Sequence, residues 1–312
     1  VQTALGESTY EKGGDRFRVL SYLTKAQSQC QNNGIVEMAW VDTALQAKLA
    51  LTTGDLDYAQ RLVAGTLRGI PPDSVPQLFD SIRAFGCWLK LYRNETEAIG
   101  QWLAQAPDET VEFCTLNRYL YMVKIYCYIA LGKHTDALVL LQRMLAYADY
   151  AQRTYFQMEC GVLSAIVLRR IGRPWKEDFL QLLGRIGEYH FVPILSEKGA
   201  AVLPLLTEVK SCFCAETPAQ RAWFGQVLEE TEHMARLYPN YLKGTGIDVS
   251  TFSDTALEVL RLQAAGRSTN EIAQQLHISP RTVKYHASEN YRKLQAKNMV
   301  DAVQIARSLN IL

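Results

Sequence analysis

The sequence predicts an all-α protein: a solenoid of stacked helix hairpins, followed by a compact four-helix domain with a helix-turn-helix at its centre. Three observations carry this expectation. Turn-forming residues recur at nearly fixed spacing through the first two thirds of the chain. Between them apolar residues step by three or four, the period of a helix buried on one face. After Tyr238 the texture changes, and a Ser-Pro dipeptide opens a short helix rich in bases.

Composition fits that reading. The chain has 312 residues, about twice a typical domain, so two domains or one elongated array are expected. Hydrophobic residues make up 48% and charged residues 21%, which excludes a disordered or low-complexity chain. With 33 bases against 32 acids, a polycationic coat for nucleic acid or membrane is excluded, but a local basic patch is not. Seven Cys are scattered and read as reduced core thiols, Cys212-x-Cys214 lacking a second pair at zinc-site spacing. The most apolar stretch, Tyr119 to Leu131, is interrupted by Lys124, and no signal peptide opens the chain, so a cytoplasmic location without membrane partners is expected. The chain starts on Val within a helical pattern and reads as a fragment of a longer protein.

Turns are expected at Gly14, Gly54, Arg93, Gly132 and Gly172, at intervals of 39 or 40 residues. A small residue follows most of them five positions on, at Ala59, Ala98 and Ala137, where it lets two helices approach. The clearest hairpin runs from Leu116 to Ala148. Leu116, Leu120, Val123, Cys127 and Ala130 form one stripe, and Ala137, Leu138, Leu141 and Leu145 the other. Such a unit cannot bury its apolar face alone, so neighbours stack into residues 1–238 as a solenoid with an extended concave surface. The run Tyr128 to Ala137 resembles the tetratricopeptide pattern, at a longer period than the usual 34 or so residues. The last unit, Phe191 to Tyr238, is the least regular, with Pro193, Pro204 and Pro218 expected at helix starts. Sixteen Tyr and five Trp raise a ligand-binding reading, but aromatics at helical spacing in a solenoid are mostly packing residues.

A linker is expected over 239–252, from Pro239, Asn240, Gly244 and Gly246. Residues 253–312 then read as four helices. Ser253 caps the first, which Gly266 closes; Ser268 starts the second, with Ile272, Ala273 and Leu276 as its apolar face. His277-Ile278 is the turn, and Ser279-Pro280 opens the third helix, which runs to Leu294. Asn298 caps a fourth. Two short helices joined by a tight turn are the arrangement that lays its second helix, about 280–294, in a DNA major groove. Between Arg281 and Lys297 five bases face one acid, Glu289, so this stretch calls for an anionic partner.

The residues that follow carry a family resemblance. Gly266-Arg267-Ser268-Thr269-Asn270-Glu271-Ile272-Ala273, Leu276-His277-Ile278-Ser279, Thr282-Val283-Lys284-Tyr285-His286, Arg292-Lys293-Leu294, Ala302-Val303 and the closing Leu309-Asn310-Ile311-Leu312 resemble the LuxR-type DNA-binding domain. With the upstream array, including Phe191-Val192-Pro193-Ile194-Leu195-Ser196-Glu197-Lys198-Gly199, the chain is similar to the C-terminal portion of a MalT-like (LAL) large regulator. The resemblance implies a DNA-binding transcription regulator, with activation the expected sense, and double-stranded DNA as partner. Lys284, Tyr285 and Ser288 are then the base contacts. Thr269, Arg281, Thr282, His286, Arg292 and Lys293 are the phosphate contacts. Val300, Val303 and Ala306 form an edge for a homodimer, with core packing as the competing role. Such regulators carry an ATP-binding module ahead of the repeats. No Gly-x-x-x-x-Gly-Lys-Ser/Thr loop occurs here, so ATP is expected only in a module outside this chain. Three departures stand out: Ser253-Asp254-Thr255-Ala256 replaces the usual Thr-x-Arg-Glu opening and loses a capping device, Asn290 stands where Ile is common, and Glu289 adds a negative charge.

The solenoid is expected to sense a small effector or a protein partner, with Arg118, Tyr121, Arg153, Tyr155 and Gln157 as the candidate contacts. A scaffold that docks a peptide or protein on its concave face, with DNA binding secondary, is the alternative. Catalysis is not expected, because His134, His190, His233, His277 and His286 are dispersed and no nucleophile motif occurs.

Overall fold

The computed structural model describes residues 1–33, 35–70, 75–108, 113–215, 217–243, 252–294, 296–308 and 312. Their regular structure is helical throughout. Two compact units result, one of Val1–Ile166 with Lys176–Thr245, the other of Gly246–Leu312 with Val167–Trp175.

The first unit is built from hairpins: α1 (Gln2–Glu11) with α2 (Arg16–Asn33), α3 (Val36–Leu51) with α4 (Leu56–Gly69), α5 (Pro76–Leu91) with α6 (Thr96–Leu103), and α7 (Arg118–Ala130) with α8 (His134–Tyr150). Then come α9 (Thr154–Arg170), of which residues up to Ile166 belong to this unit, α10 (Lys176–Tyr189), the short α11 (Pro193–Ser196), α12 (Gly199–Val209) and α13 (Pro218–Leu237). The repeat is written in its turns. Gly54, Gly132 and Gly172 have positive φ, as expected, but the first and third left-handed residues are Gly13 and Asn94 rather than Gly14 and Arg93. The reason is steric: Asn tolerates the left-handed region far better than Arg does. Ala59 and Ala137 are fully buried where helices close on each other, while at the third turn Ile99 takes the buried place and Ala98 is half-exposed.

The expected stripe of the Leu116–Ala148 hairpin holds from Leu120 to Ala130, but in the second helix only Ala137 and Leu141 are buried as expected, Leu138 and Leu145 being half-buried while Leu140, Met144 and Ala148 complete the packed face. Leu116 departs from it: it sits in a 3-10 turn, Thr115–Asn117, ahead of the helix, and is 61% exposed. Pro193 and Pro218 do open helices, but Pro204 lies inside α12, where it deprives the helix of one backbone donor. Cys212 and Cys214 are exposed, so only five of the seven thiols match a core or half-buried reading.

Within this unit the first helices meet the last. Val192 N donates to Glu11 O at 2.9 Å, and Gln226 Nε2 to Gly13 O at 2.8 Å. His233 Nε2 lies 2.8 Å from Thr52 O, and Tyr238 Oη donates to Leu51 O at 3.0 Å. The segment expected to begin a linker is part of this closure. Tyr241 and Leu242 are essentially unexposed, and the Tyr241 ring stacks on Tyr92 at 4.2 Å. Residues 244–251, with Gly244 and Gly246, lie outside the described ones.

Inside the closure lies a network of charge. Lys48 Nζ pairs with Glu197 at 3.0 Å, Lys198 Nζ with Glu159 at 3.3 Å, and Tyr10 Oη donates to Glu197 at 2.6 Å. Desolvation works against the Lys48 charge, but Glu197, Glu11 and Glu159 outweigh it and raise its pKa. Desolvation likewise opposes ionised Glu159, and Lys198 with the Tyr126 hydroxyl overcomes it and lowers the pKa.

The C-terminal domain comprises α14 (Asp254–Ala264), α15 (Thr269–Gln275), α16 (Pro280–Leu294) and α17 (Met299–Ser308). Every helix start is tied by a side chain one turn back. Ser253 Oγ accepts from Ala256 N at 3.2 Å, so the cap survives the altered opening of α14. Ser268 and Glu271 form a reciprocal capping box, Ser279 Oγ accepts from Thr282 N at 3.1 Å, and Asn298 from Asp301 N at 2.9 Å. Each cap contributes about 1 kcal/mol to its helix. Val259, Leu262, Ile272, Ala273, Val283 and Ala287 form one core cluster, and Phe252, Leu260, Leu294, Ala302 and Ala306 the other.

Candidate nucleic-acid interface

Helix α16 is divided by its own periodicity. Val283, Ala287, Asn290 and Leu294 point inward and are at most 8% exposed. The opposite stripe, at spacings of three and four, is Arg281, Lys284, Tyr285, Ser288 and Arg292, all exposed. The turn before it is fixed by Ile278 N donating to Ala273 O at 3.1 Å, and by His277 in the left-handed region. The three residues expected at base edges, Lys284, Tyr285 and Ser288, therefore share one outward face. Tyr285 is 64% exposed, and its ring meets His286 edge-on at 5.5 Å.

The expected phosphate contacts separate into groups. Thr282 is partly exposed beside exposed Arg281 in the first turn of α16, and Thr269 stands in the first turn of α15. Arg292 is engaged within its own helix. Its guanidinium meets Glu289 through Nη2 at 2.8 Å and Nε at 3.2 Å. That contact raises the Arg292 pKa and, through the same hydrogen bond, lowers that of Glu289. Lys293 turns toward the domain's own packing, with Nζ 5.2 Å from the Phe252 ring centre. Of the candidate dimer edge, Ala306 has no exposed surface and is spent on the domain core, Val303 packs partly against that core, and Val300 is 69% exposed.

Sequence reasoning did not find the role of Asn290. Its side chain is fully buried, and Nδ2 donates to Ala256 O at 2.7 Å, so the amide ties the middle of α16 to the first turn of α14. The signal was present, a polar residue at an inward position of an otherwise apolar stripe.

The candidate effector residues are brought together only in part. Arg118, Arg153 and Tyr155 line one cavity of about 340 Å3, with Tyr147, Gln152 and Phe156. Tyr121 does not join them: it is fully buried and stacks on Phe113 at 5.1 Å, because its helix face is the packed one. Gln157 is engaged by Asp149 at 2.8 Å and by Arg185 at 3.3 Å. Tyr155 spends its hydroxyl on Glu11, at 2.7 Å. Among the described residues, no helix is long and apolar enough to cross a membrane, and no group of three His, Cys, Asp or Glu is placed to hold a metal ion.

The model of bacterial regulatory proteins of the luxR family matches residues 250–306. Transcriptional regulatory protein DesR of Bacillus subtilis (strain 168) is 29% identical over 96 residues, 30% of this chain and 47% of DesR. Uncharacterized transcriptional regulatory protein YvfU of the same organism is 45% identical over 49 residues, 16% of this chain and 24% of YvfU. The chain thus spans about half or less of the length of these curated relatives. No solved structure matches the chain. The match covers α14 to α16 and most of α17, with their caps, their turn and the basic outward stripe, and this C-terminal domain belongs to the luxR family of bacterial regulatory proteins.

Proposed function

We propose that the chain is a DNA-binding transcription regulator, an activator whose helical-repeat unit senses an effector or partner. The observation that carries the reading is the outward stripe of α16. Five polar or basic side chains share one face of a helix whose start is capped and whose other face is packed. Lys284 supplies donors that suit guanine O6 and N7, Ser288 reads either base, and Tyr285 reaches a phosphate or a thymine methyl. Arg281, Thr282 and Thr269, near helix N-termini, position the duplex through phosphates. Exposed Val300 is the remaining part of the dimer edge, and the cavity of Arg118, Arg153 and Tyr155 is the effector site this reading favours.

The test is binding to duplex DNA across a salt titration, with a Lys284→Ala variant alongside. Several phosphate contacts should cost orders of magnitude in affinity between about 50 and 200 mM salt. The variant should weaken binding by about 1–3 kcal/mol and relax sequence preference at one base pair. Salt-insensitive or absent binding overturns the reading and leaves the repeat unit as a protein-docking scaffold.

A further inference from the structure

Where the first and last helices of the repeat unit meet, a cavity of about 170 Å3 is left among Tyr10, Lys48, Tyr92, Glu197, Glu230 and Met234. At roughly 30 Å3 for each water in the liquid, it holds the space of about six waters, enough for a ligand of a few heavy atoms. Its walls are mostly apolar, but the charges around it do not balance. Among the described residues, Glu11, Glu159, Glu197 and Glu230 surround the closure, against two ammonium groups. Lys48 is paired with Glu197 and Lys198 with Glu159.

Two carboxylates are therefore in surplus. Glu11 accepts a neutral hydroxyl from Tyr155, and Glu230 accepts a neutral amide from Gln226 at 2.7 Å. Burial raises the pKa of both: for Glu11 it outweighs the attraction of Lys48, and for Glu230 the hydrogen bond from Gln226. Of the two, only Glu230 lines the cavity. The other groups on the cavity wall offset the burial of Glu230 only in part: the Ser196 hydroxyl and His233 favour its charged form, but His233 Nε2 is engaged with the Thr52 carbonyl, and Arg16 is exposed, where water screens its charge. Tyrosine rings already serve cations in this interior, Tyr10 on the cavity wall and Tyr126 outside it. Lys48 Nζ lies 5.8 Å from the Tyr10 ring centre, and Lys198 Nζ 5.8 Å from that of Tyr126.

We propose that this cavity binds a small primary ammonium compound, its head paired with Glu230 beside Tyr10 and Tyr92 and its short aliphatic tail against Leu49 and Met234. The occupant touches both ends of the closure, since Tyr10 closes the first helix and Glu230 and Met234 belong to α13. Binding then favours the closed array over an opened one. The site stands on the chemistry of the cavity, and only its regulatory consequence rests on the sensing role proposed above.

The probe is n-butylammonium, compared with butan-1-ol and butanoate, by calorimetric titration into the full chain and into Glu230→Gln. Butylammonium should bind at least about tenfold more tightly than butan-1-ol, a gain that Glu230→Gln should remove. Thermal unfolding of the unliganded variant checks its fold, and removing a desolvated carboxylate should leave its midpoint equal or higher. Equal binding of butan-1-ol, absence of butylammonium binding, or undiminished binding to Glu230→Gln each overturns the proposal. DNA affinity of the same samples is read separately, so a protein that binds the amine and not DNA refutes the regulator and not the site.

Discussion

The two units treat charge in opposite ways. In the repeat unit, lysines and glutamates converge on the interior: the Lys198 side chain is 1% exposed, and Lys48, Glu159 and Glu197 surround it with tyrosine hydroxyls between. In the C-terminal domain the core clusters are apolar, and bases stand outward on one face of α16. A buried charge must be matched by a fixed partner, because desolvation costs several kcal/mol per ion, so it is committed to the fold. An exposed charge is met by water and stays available to an external anion. The same residue types thus build a closure in one place and an interface in the other.

The sharpest way to break this contrast is Lys198→Ala, which leaves Glu159 without its ammonium partner. Losing one member of a buried pair should destabilise the repeat unit by about 3–5 kcal/mol, read by urea unfolding. Lys284→Ala in α16 should change stability by no more than about 0.5 kcal/mol. If the two variants unfold alike, the distinction between committed and available charge is wrong.

The next effect in size is a pH dependence. Burial, opposed by Lys48, raises Glu11 from 4.5 to about 7 in the fold. The folded state therefore holds that proton more tightly than the unfolded chain. Its stabilisation is complete below about pH 4.5 and is lost as pH rises through 7, by up to about 3 kcal/mol. Glu230 shifts in the same direction and Glu159 in the opposite one, so the difference between wild type and Glu11→Gln isolates the single group. Unfolding curves at successive pH values should show a shallower fall in the variant between pH 4.5 and about 7.

A smaller effect sharpens the outward half of the comparison. Arg292 is already met by Glu289, whereas among the described residues no ion pair holds Arg281. Arg281→Ala should reduce the slope of log affinity against log salt by about one unit, and Arg292→Ala by clearly less. Equal slopes would mean that the Glu289 contact gives way on the duplex.

What the sequence disclosed follows from the range over which each feature acts. Ser253, Ser268, Ser279 and Asn298 were legible because a cap needs only the residue three positions on. The repeat turns were legible to within one residue where the left-handed position falls on Gly or Asn, and not where it falls on Gln152 or His190. The interior network was not, because Lys48 meets Glu197 across 149 residues and Tyr10 meets it across 187. Its trace was local all the same: Glu197-Lys198 interrupts the apolar run from Phe191 to Leu206, and a charged pair inside such a run needs buried partners. Tyr121 failed as an effector residue for a related reason, since periodicity places a side chain on a face but does not say whether a neighbour covers it.

The smallest effect asks whether the outward helix depends on its scaffold as the inward charges do. Ser268→Ala removes the Oγ that accepts from Glu271 N and breaks one half of the capping box at the start of α15. The expected loss is about 1 kcal/mol in domain stability, since the orphaned donor returns to water rather than being buried. Ile272 and Ala273 still hold α15 against α16, so the outward stripe keeps its geometry. DNA affinity should then follow the folded fraction and otherwise stay unchanged at temperatures well below the midpoint. A loss of affinity beyond that fraction would show that the cap also holds Thr269 toward the duplex, and the division between fold-bearing and DNA-facing groups would have to be redrawn through α15.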